Sequence, residues 1–350
     1  MMAIVPEIPS KPVLDIQVTT GEDVPEIFTR ETGNGSLADD PSALPWTDCP
    51  VIDFSLLSAS SAGDELRKLH SALVSWGCFQ LINHGINDSL LDKVGEVSKG
   101  FFLLPSDERN KYSRTPNDPQ GYGNDTILSQ NVPHNWNDRL YLHVYPQDQR
   151  KLNLWPLTPP DFRGILHEYT MSVKGVNETI VKAMGRCLGL EDNSILDEYG
   201  EKTVMAARIN FYPECPLPKL VRAARAHSDA SAITILLQDK QVEGLQILKD
   251  DKWFKVPILP SALFVNVGDQ IEIMSNGIFK GAVHRVVANS QRERLSIAMF
   301  CSPDSEKEIG PIKKLVNQSQ PALYKSFKRY EEIFFRYHPK GERPILTMKI

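Results

Sequence analysis

The spacing of apolar residues changes partway along this chain. Up to about residue 200 they recur mostly at helical intervals; beyond it they come in short β-branched runs broken by turn residues. Asp64–Gly77 (DELRKLHSALVSWG) sets Leu66, Leu69, Leu73 and Trp76 on one helical face and ends on a glycine suited to stop it. Asn87–Leu104 begins with cap residues and aligns Leu91, Val94, Val97 and Phe101; Pro105-Ser106 then breaks the pattern and restarts a short helix. The longest helical pattern is Pro159–Leu190, with its prolines at the start, where a missing N–H costs nothing, and Asn177 and Glu178 on the wet face. Between these lie two strand candidates, Cys49–Leu57 (CPVIDFSLL) and Cys78–Gly85 (CFQLINHG). Residues 115–158, rich in Pro, Asn, Asp and aromatics, read as loops and short strands.

From about residue 203 the runs VMAARINFY, AITILLQ, GLQILK, KWFKVPI, ALFVNVGD, GAVHRVVA and RLSIAMFC follow at short, regular spacing. That pattern predicts a β-sandwich or barrel. Pro321–His338 predicts a last helix, with Leu323, Phe327, Tyr330 and Phe334 on its apolar face. The expected organisation is an irregular arm over 1–48 with one short helix, a mainly helical region over 49–200, a β core over 201–305, and a terminal helix and tail over 306–350.

Composition narrows the function classes. A net charge of −5, with no basic tract, argues against a nucleic-acid partner. The KDDK stretch at 249–252 reads as a solvated loop. No run of eighteen apolar residues exists, so no membrane span is expected, and nothing at the N-terminus reads as a leader; the cytoplasm is the default compartment. Five scattered cysteines, with no Cys-x-x-Cys pair, point away from a disulfide framework and a zinc ribbon.

The chemistry concentrates in the β region. His70, His134, His143, His167 and His338 have no histidine or acidic partner at ligand spacing and read as surface or structural; His84 reads as a hydrogen-bonded structural histidine. His227 and Asp229 are two apart, so on a strand they share a face. Downstream, His284 shares a face with Val286, and a hairpin centred near Ser290 would set His284 opposite Ser296. Alternation groups Arg294, Ser296, Ala298 and Phe300, and likewise Arg208, Asn210 and Tyr212. Two histidines and a carboxylate on a rigid scaffold form the donor set of a facial triad, which leaves coordination positions open for oxygen and a bidentate co-substrate. An arginine fork and a hydroxyl at Arg294 and Ser296 suit a distal carboxylate, with Tyr212 and Asn210 adding hydrogen bonds. Each pair alone is a weak signal; the combination is specific.

PVIDF, WGCFQLINHGI, NFYPECP, HSDASAITILLQD, VEGLQI, VNVGDQIEIMSNG, HRVV and ERLSIA occur in the order found in the plant 2-oxoglutarate- and iron(II)-dependent dioxygenases, which the chain resembles from about Pro50 to its end. The resemblance is to the group containing codeine O-demethylase-like and norcoclaurine-synthase-like proteins. It implies an α+β fold: a double-stranded β-helix (jelly-roll) core with an N-terminal helical segment and a C-terminal helix packed around it. It implies Fe(II) on His227, Asp229 and His284, with 2-oxoglutarate held by Arg294 and Ser296, helped by Tyr212 and Asn210. O2 is the further co-substrate and ascorbate an auxiliary reductant. Hydroxylation, O-demethylation or desaturation of a small specialised metabolite, aromatic or polycyclic, would release succinate and CO2. Phe300, Tyr122 and Phe211 are the candidate pocket walls. The basic RAARA (Arg222–Ala226) departs from the family's more aliphatic pattern; it reads as a solvated loop, with contact between Arg222 or Arg225 and an acidic substrate left open. Alternatives are an oxidase of the same fold that does without 2-oxoglutarate, a non-catalytic small-molecule binder, and a zinc hydrolase. A monomer is compatible with all of these.

Overall fold

The computed structural model describes residues 11–16, 24–29, 43–58, 63–116, 118–125 and 132–350. In the arm, a 3-10 turn at Val13–Asp15 and the short helix α1 (Glu26–Thr29) are ordered against the body. Val13 and Leu14 donate their N–H groups to the buried Asp138 carboxylate at 2.7 and 2.9 Å, which ties the arm to the barrel.

The helical region follows the periodicity closely. β1 (Val51–Asp53) leads into α2 (Phe54–Leu57), then α3 (Gly63–Ser75), β2 (Cys78–Ile82), α4 (Asp88–Phe102) and α5 (Ser106–Asn110). Asn87 caps α4, its side-chain oxygen accepting from Ser89 N at 2.8 Å. β3 (Gly121–Gly123) and β4 (Asp138–Tyr145) precede the long α6 (Phe162–Cys187) and short α7 (Ser194–Tyr199). Each β-branched run after residue 203 becomes a strand, and the basic stretch expected as a loop adds one more, β6: β5 (Val204–Tyr212), β6 (Arg222–His227), β7 (Ile233–Leu237), β8 (Leu245–Lys249), β9 (Lys252–Lys255) and β10 (Leu263–Val267). After α8 (Asp269–Met274) come β11 (His284–Val287), β12 (Arg294–Ser302) and α9 (Tyr330–Tyr337).

Among the described residues the strands form an eight-stranded sheet, ordered β1-β2-β10-β7-β12-β5-β4-β3, and a four-stranded sheet, ordered β6-β11-β8-β9. Within the larger sheet only β1 and β2 run parallel. The architecture is the expected jelly-roll core with helices around it. Alternation sorts the large sheet into two faces. Leu140, Leu142, Ala207, Ile209, Phe211, Ile297 and Met299 belong to the buried apolar core, and α4 and α6 pack against these strands. Arg139, Tyr141, Arg208, Asn210, Tyr212, Arg294 and Ser296 line the opposite face, toward a cavity between the sheets. No helix among the described residues is long and apolar enough to cross a membrane.

Several expectations are corrected. Phe54–Leu57 is a helix, not strand, because Asp53 caps it by accepting from Ser55 N at 3.0 Å. Helix α9 covers only the second half of Pro321–His338; Phe327 instead makes an isolated bridge with Ile309, and Leu323 is exposed. Helix α8 was hidden in VNVGDQIEIMSNG. Asn177 is buried on α6 rather than on the wet face. β11 and β12 do not form a hairpin: β11 pairs with β6 and β8, and β12 with β5 and β7, in different sheets.

One glycine fixes how the two sheets are joined. The turn after β6 hangs on the start of α8: Gly268 N donates to Ala232 O at 2.9 Å and Asp269 N to Asp229 O at 2.8 Å. A Cβ at Gly268 would lie 2.0 Å from the Ser231 carbonyl oxygen and 3.1 Å from that of Asp229. Gly268→Ala is therefore expected to destabilise the fold by about 1–3 kcal/mol, the usual cost of overpacking. A lowered denaturant midpoint supports this close approach, and an unchanged midpoint contradicts it.

Candidate active site

His227 ends β6 directly opposite His284 on β11. Asp229 lies past the strand end, so the turn held by α8, not the pleat, aims its carboxylate at the histidines. The ring centroids are 4.3 Å apart. Asp229 Oδ1 lies 3.6 Å from His227 Nε2 and 3.8 Å from His284 Nε2. One ligand atom from each residue falls within 4.8 Å of the others.

The protonation pattern suits a cation. His227 Nδ1 donates to Arg225 O at 2.8 Å and His284 Nδ1 to Ala282 O at 3.0 Å, each a carbonyl two residues back. A carbonyl can only accept, so both Nε2 lone pairs are left pointing at Asp229. Burial, with His284 beside it, pushes His227 down to about 4 despite the nearby carboxylate. The imidazole is thus neutral at neutral pH, the form that ligates metal. Asp229 Oδ2 is buried with no hydrogen-bond partner. A buried carboxylate oxygen without a donor fits a metal ion better than a structural role. These residues fit iron(II).

Along the cavity wall, Arg294 pairs with Tyr212 and Ser296 with Asn210 across β12 and β5. The Arg294 guanidinium sits 5.2 Å from the Tyr212 ring centroid, and its Nε donates to Val242 O at 3.2 Å. Its Nη1 is buried and unpartnered. Asn210 Nδ2 reaches Ser296 Oγ only at 3.5 Å, leaving the hydroxyl open to a better acceptor. Gly244 passes so close that a Cβ would meet Arg294 Cδ at 3.2 Å. A fork with a spare donor, a hydroxyl and an amide fit a carboxylate.

The cavity, about 150 Å³, is lined by the triad and by Phe300 and Phe334. Tyr122 and Phe211 are not in it. Phe211 has the parity of the helix-facing side of β5 and stacks on Phe102 with centroids 5.1 Å apart. Tyr122 pairs with outward-facing Leu140; its hydroxyl accepts from Arg109 Nε at 3.1 Å and donates to Asp138 at 3.4 Å.

Arg225 is no solvated loop residue: it is 7% exposed on β6, with Nη2 donating to His338 O at 2.9 Å. His338 packs edge-on to His227 at 5.5 Å and stacks on Phe334 at 4.6 Å. Burial, with Arg225 and His227 nearby, pushes it well below the usual histidine range. No local pattern marks it, since the contact exists only because the C-terminal segment returns to the cavity. Arg208 forks onto Asp125 at 2.7 and 2.9 Å, and Asn135 Nδ2 donates to the same carboxylate at 2.9 Å. Burial raises the Asp125 carboxyl, but the charge and hydrogen bonds of Arg208, with Arg139, outweigh it and hold the group well below its ordinary value.

Comparison with known proteins shows what the chain is similar to. Residues 203–303 match the family model of the 2OG-Fe(II) oxygenase superfamily, and residues 49–158 match the N-terminal model of a non-haem dioxygenase in morphine synthesis. Codeine O-demethylase of Papaver somniferum is 42% identical over 287 residues, 81% of this chain and 79% of that one. S-norcoclaurine synthase 1 of Coptis japonica is 36% identical over 329 residues, 93% and 92% of the two chains. The crystal structure of JOX2 in complex with 2OG, Fe and JA superposes with a TM-score of 0.87 at 31% identity, covering 98% of each chain.

Asp125→Asn should destabilise the protein by on the order of 2 kcal/mol at pH 7, less than a wholly buried pair because the carboxylate is 18% exposed. The carboxyl is depressed in the fold, so its contribution is present above the unfolded value near 4 and is lost as pH falls through the lower folded value. Denaturant titrations of wild type and variant should therefore differ at pH 7 and converge only in acid. Equal stability at pH 7 contradicts the assignment.

Proposed function

The chain belongs to the 2OG-Fe(II) oxygenase superfamily, oxidoreductases that use iron(II) and 2-oxoglutarate, and on that premise we propose that it oxidises a C–H bond of a small specialised metabolite. The observation that carries this reading is the sharing of one cavity by two feature sets: the His227–Asp229–His284 cluster with both Nε2 lone pairs aimed inward, and the spare Arg294 donor. His227, Asp229 and His284 would hold the metal. Arg294 and Ser296 would grip the distal carboxylate of 2-oxoglutarate, with Asn210 and Tyr212 fixing their positions from β5. Bound iron supplies the activation of dioxygen, one oxygen atom entering succinate as 2-oxoglutarate loses CO2 and the other oxidising the substrate.

The chain's own part is positioning and exclusion. The carbonyls of Arg225 and Ala282 hold both imidazoles in one tautomer. The turn anchored by Asp269 N–H sets Asp229. Leu236, Leu245 and Val286 supply apolar wall, which keeps water from the oxidising centre. Tyr141, Phe300 and Phe334 line the same space and suit a flat, largely apolar body. Net hydroxylation takes R–H, O2 and 2-oxoglutarate to R–OH, succinate and CO2. The same step on an O-methyl carbon gives a hemiacetal that collapses to a phenol and formaldehyde, and removal of a second hydrogen gives an alkene and water.

Asp229→Ala is expected to lose iron(II), measured by metal analysis after dialysis, and with it the iron- and oxygen-dependent formation of succinate. Full iron occupancy in that variant contradicts the site. Arg294→Lys should raise the half-saturating 2-oxoglutarate concentration by roughly tenfold or more, because a point charge does not replace a bidentate fork. An unchanged requirement removes Arg294 from this role. Wild-type protein that binds iron yet never forms succinate from 2-oxoglutarate would instead be the oxidase that does without 2-oxoglutarate or a non-catalytic binder.

A further inference from the structure

The cavity carries more positive charge than its own carboxylates neutralise. Arg139, Arg208 and Arg225 all line it, with Asp125 and Glu331 as the acidic residues there beyond Asp229. Both oxygens of Asp125 are engaged by Arg208 and Asn135, and Arg139 Nε approaches no closer than 3.6 Å. Arg139 is otherwise tied to the carbonyls of Pro119 and Gly121 at 2.6 and 3.0 Å. Arg225 has one side-chain bond, to His338 O, while its Nε and Nη1 are buried without partners. Among the described residues no carboxylate lies within ion-pair distance of it. Glu331 comes from α9, and burial raises its carboxyl, which weakens it as a counter-charge. Asp125 acts on Arg225 only from a distance, its oxygens being held by Arg208 and Asn135; a buried guanidinium with unfilled donors is costly in an apolar protein, and it becomes favourable once an anion arrives.

Geometry ties this charge to the reacting centre. Arg225 is two residues before His227 on β6, no more than roughly 7 Å of strand rise away. Pairing of β6 with β11 shifts register twice between His284 and Val287, a bulged stretch that brings both Ala224 and Arg225 to the cavity. Arg294 sits in the other sheet, on β12. The two arginines are therefore separate anion-binding groups on opposite sides of the cavity.

Building on the oxygenase reading above, we propose that Arg225 anchors a carboxylate of the substrate itself, so that this protein acts on a small organic acid. The acid enters as its anion, completes the Arg225 donor set, and places its apolar body against Phe300 and Phe334, within a small molecule's length of the triad.

The test uses the full chain loaded with iron(II) and saturating 2-oxoglutarate in the absence of oxygen. Benzoate, phenylacetate, 3-phenylpropanoate, cinnamate and cyclohexylacetate are titrated by calorimetry, each beside its primary amide, into wild type, Arg225→Gln and Arg225→Lys. The expected result is at least one acid bound at least about tenfold more tightly than its amide, charge-assisted bonds being the stronger kind. That preference should vanish in Arg225→Gln and survive in part in Arg225→Lys, which keeps the charge and guards against a folding defect. Acids bound no better than their amides, no acid bound at all, or a preference retained in Arg225→Gln overturns the proposal. Affinity for 2-oxoglutarate is measured separately in each protein and should not change. Weak 2-oxoglutarate binding beside an intact acid preference would count against the oxygenase reading while supporting the anion site.

Discussion

Along β5 and β12 every second side chain faces the helices and every other one faces the cavity, and the remaining features of the site depend on that alternation. Ile209, Phe211, Ile297 and Met299 anchor the large sheet to the helical layer. Their neighbours Asn210, Tyr212, Ser296 and Arg294 are thereby committed to the interior of the jelly roll. Cross-strand register then matches Arg294 to Tyr212 and Ser296 to Asn210. A slip by one residue would exchange the two faces, placing charge in the core and hydrocarbon in the cavity. The apolar face thus fixes the polar one, and the site inherits its precision from packing elsewhere.

The triad is assembled by a different device. His227 and His284 face each other across two strands of the small sheet, while Asp229 arrives from a turn suspended on Gly268 and Asp269. The three donors therefore come from different parts of the fold and meet only when both sheets are in place. Carbonyls two residues upstream of each histidine orient the rings, so the backbone itself sets the tautomer. Burial keeps His227 neutral, and the same burial leaves the Asp229 Oδ2 lone pairs without a donor. Both features favour a bound cation.

Much of this was legible in the chain. Period-two runs marked the strands after residue 203 other than β6, and the parity of Arg294, Ser296, Asn210 and Tyr212 placed them on one face. Pairing partners were not legible, because parity says nothing about which strand lies beside which; hence the mistaken hairpin between His284 and Ser296. The same limit explains Tyr122 and Phe211, whose aromatic character suited a pocket wall but whose parity put them on the helix side. Arg225 was masked by its composition: a basic stretch resembles a solvated loop until a bulged strand buries it. His338 depends on a return of the chain from far away in sequence, which no local pattern encodes.

The central claim is that the triad and Arg294 together hold one metal and one co-substrate. It is tested most directly by titrating metal-free protein anaerobically with iron(II) and then 2-oxoglutarate while recording visible absorption. The account predicts a charge-transfer band that requires both additions and is absent in His284→Ala. Iron bound without any band on addition of 2-oxoglutarate, or a band that persists unchanged in His284→Ala, would contradict it.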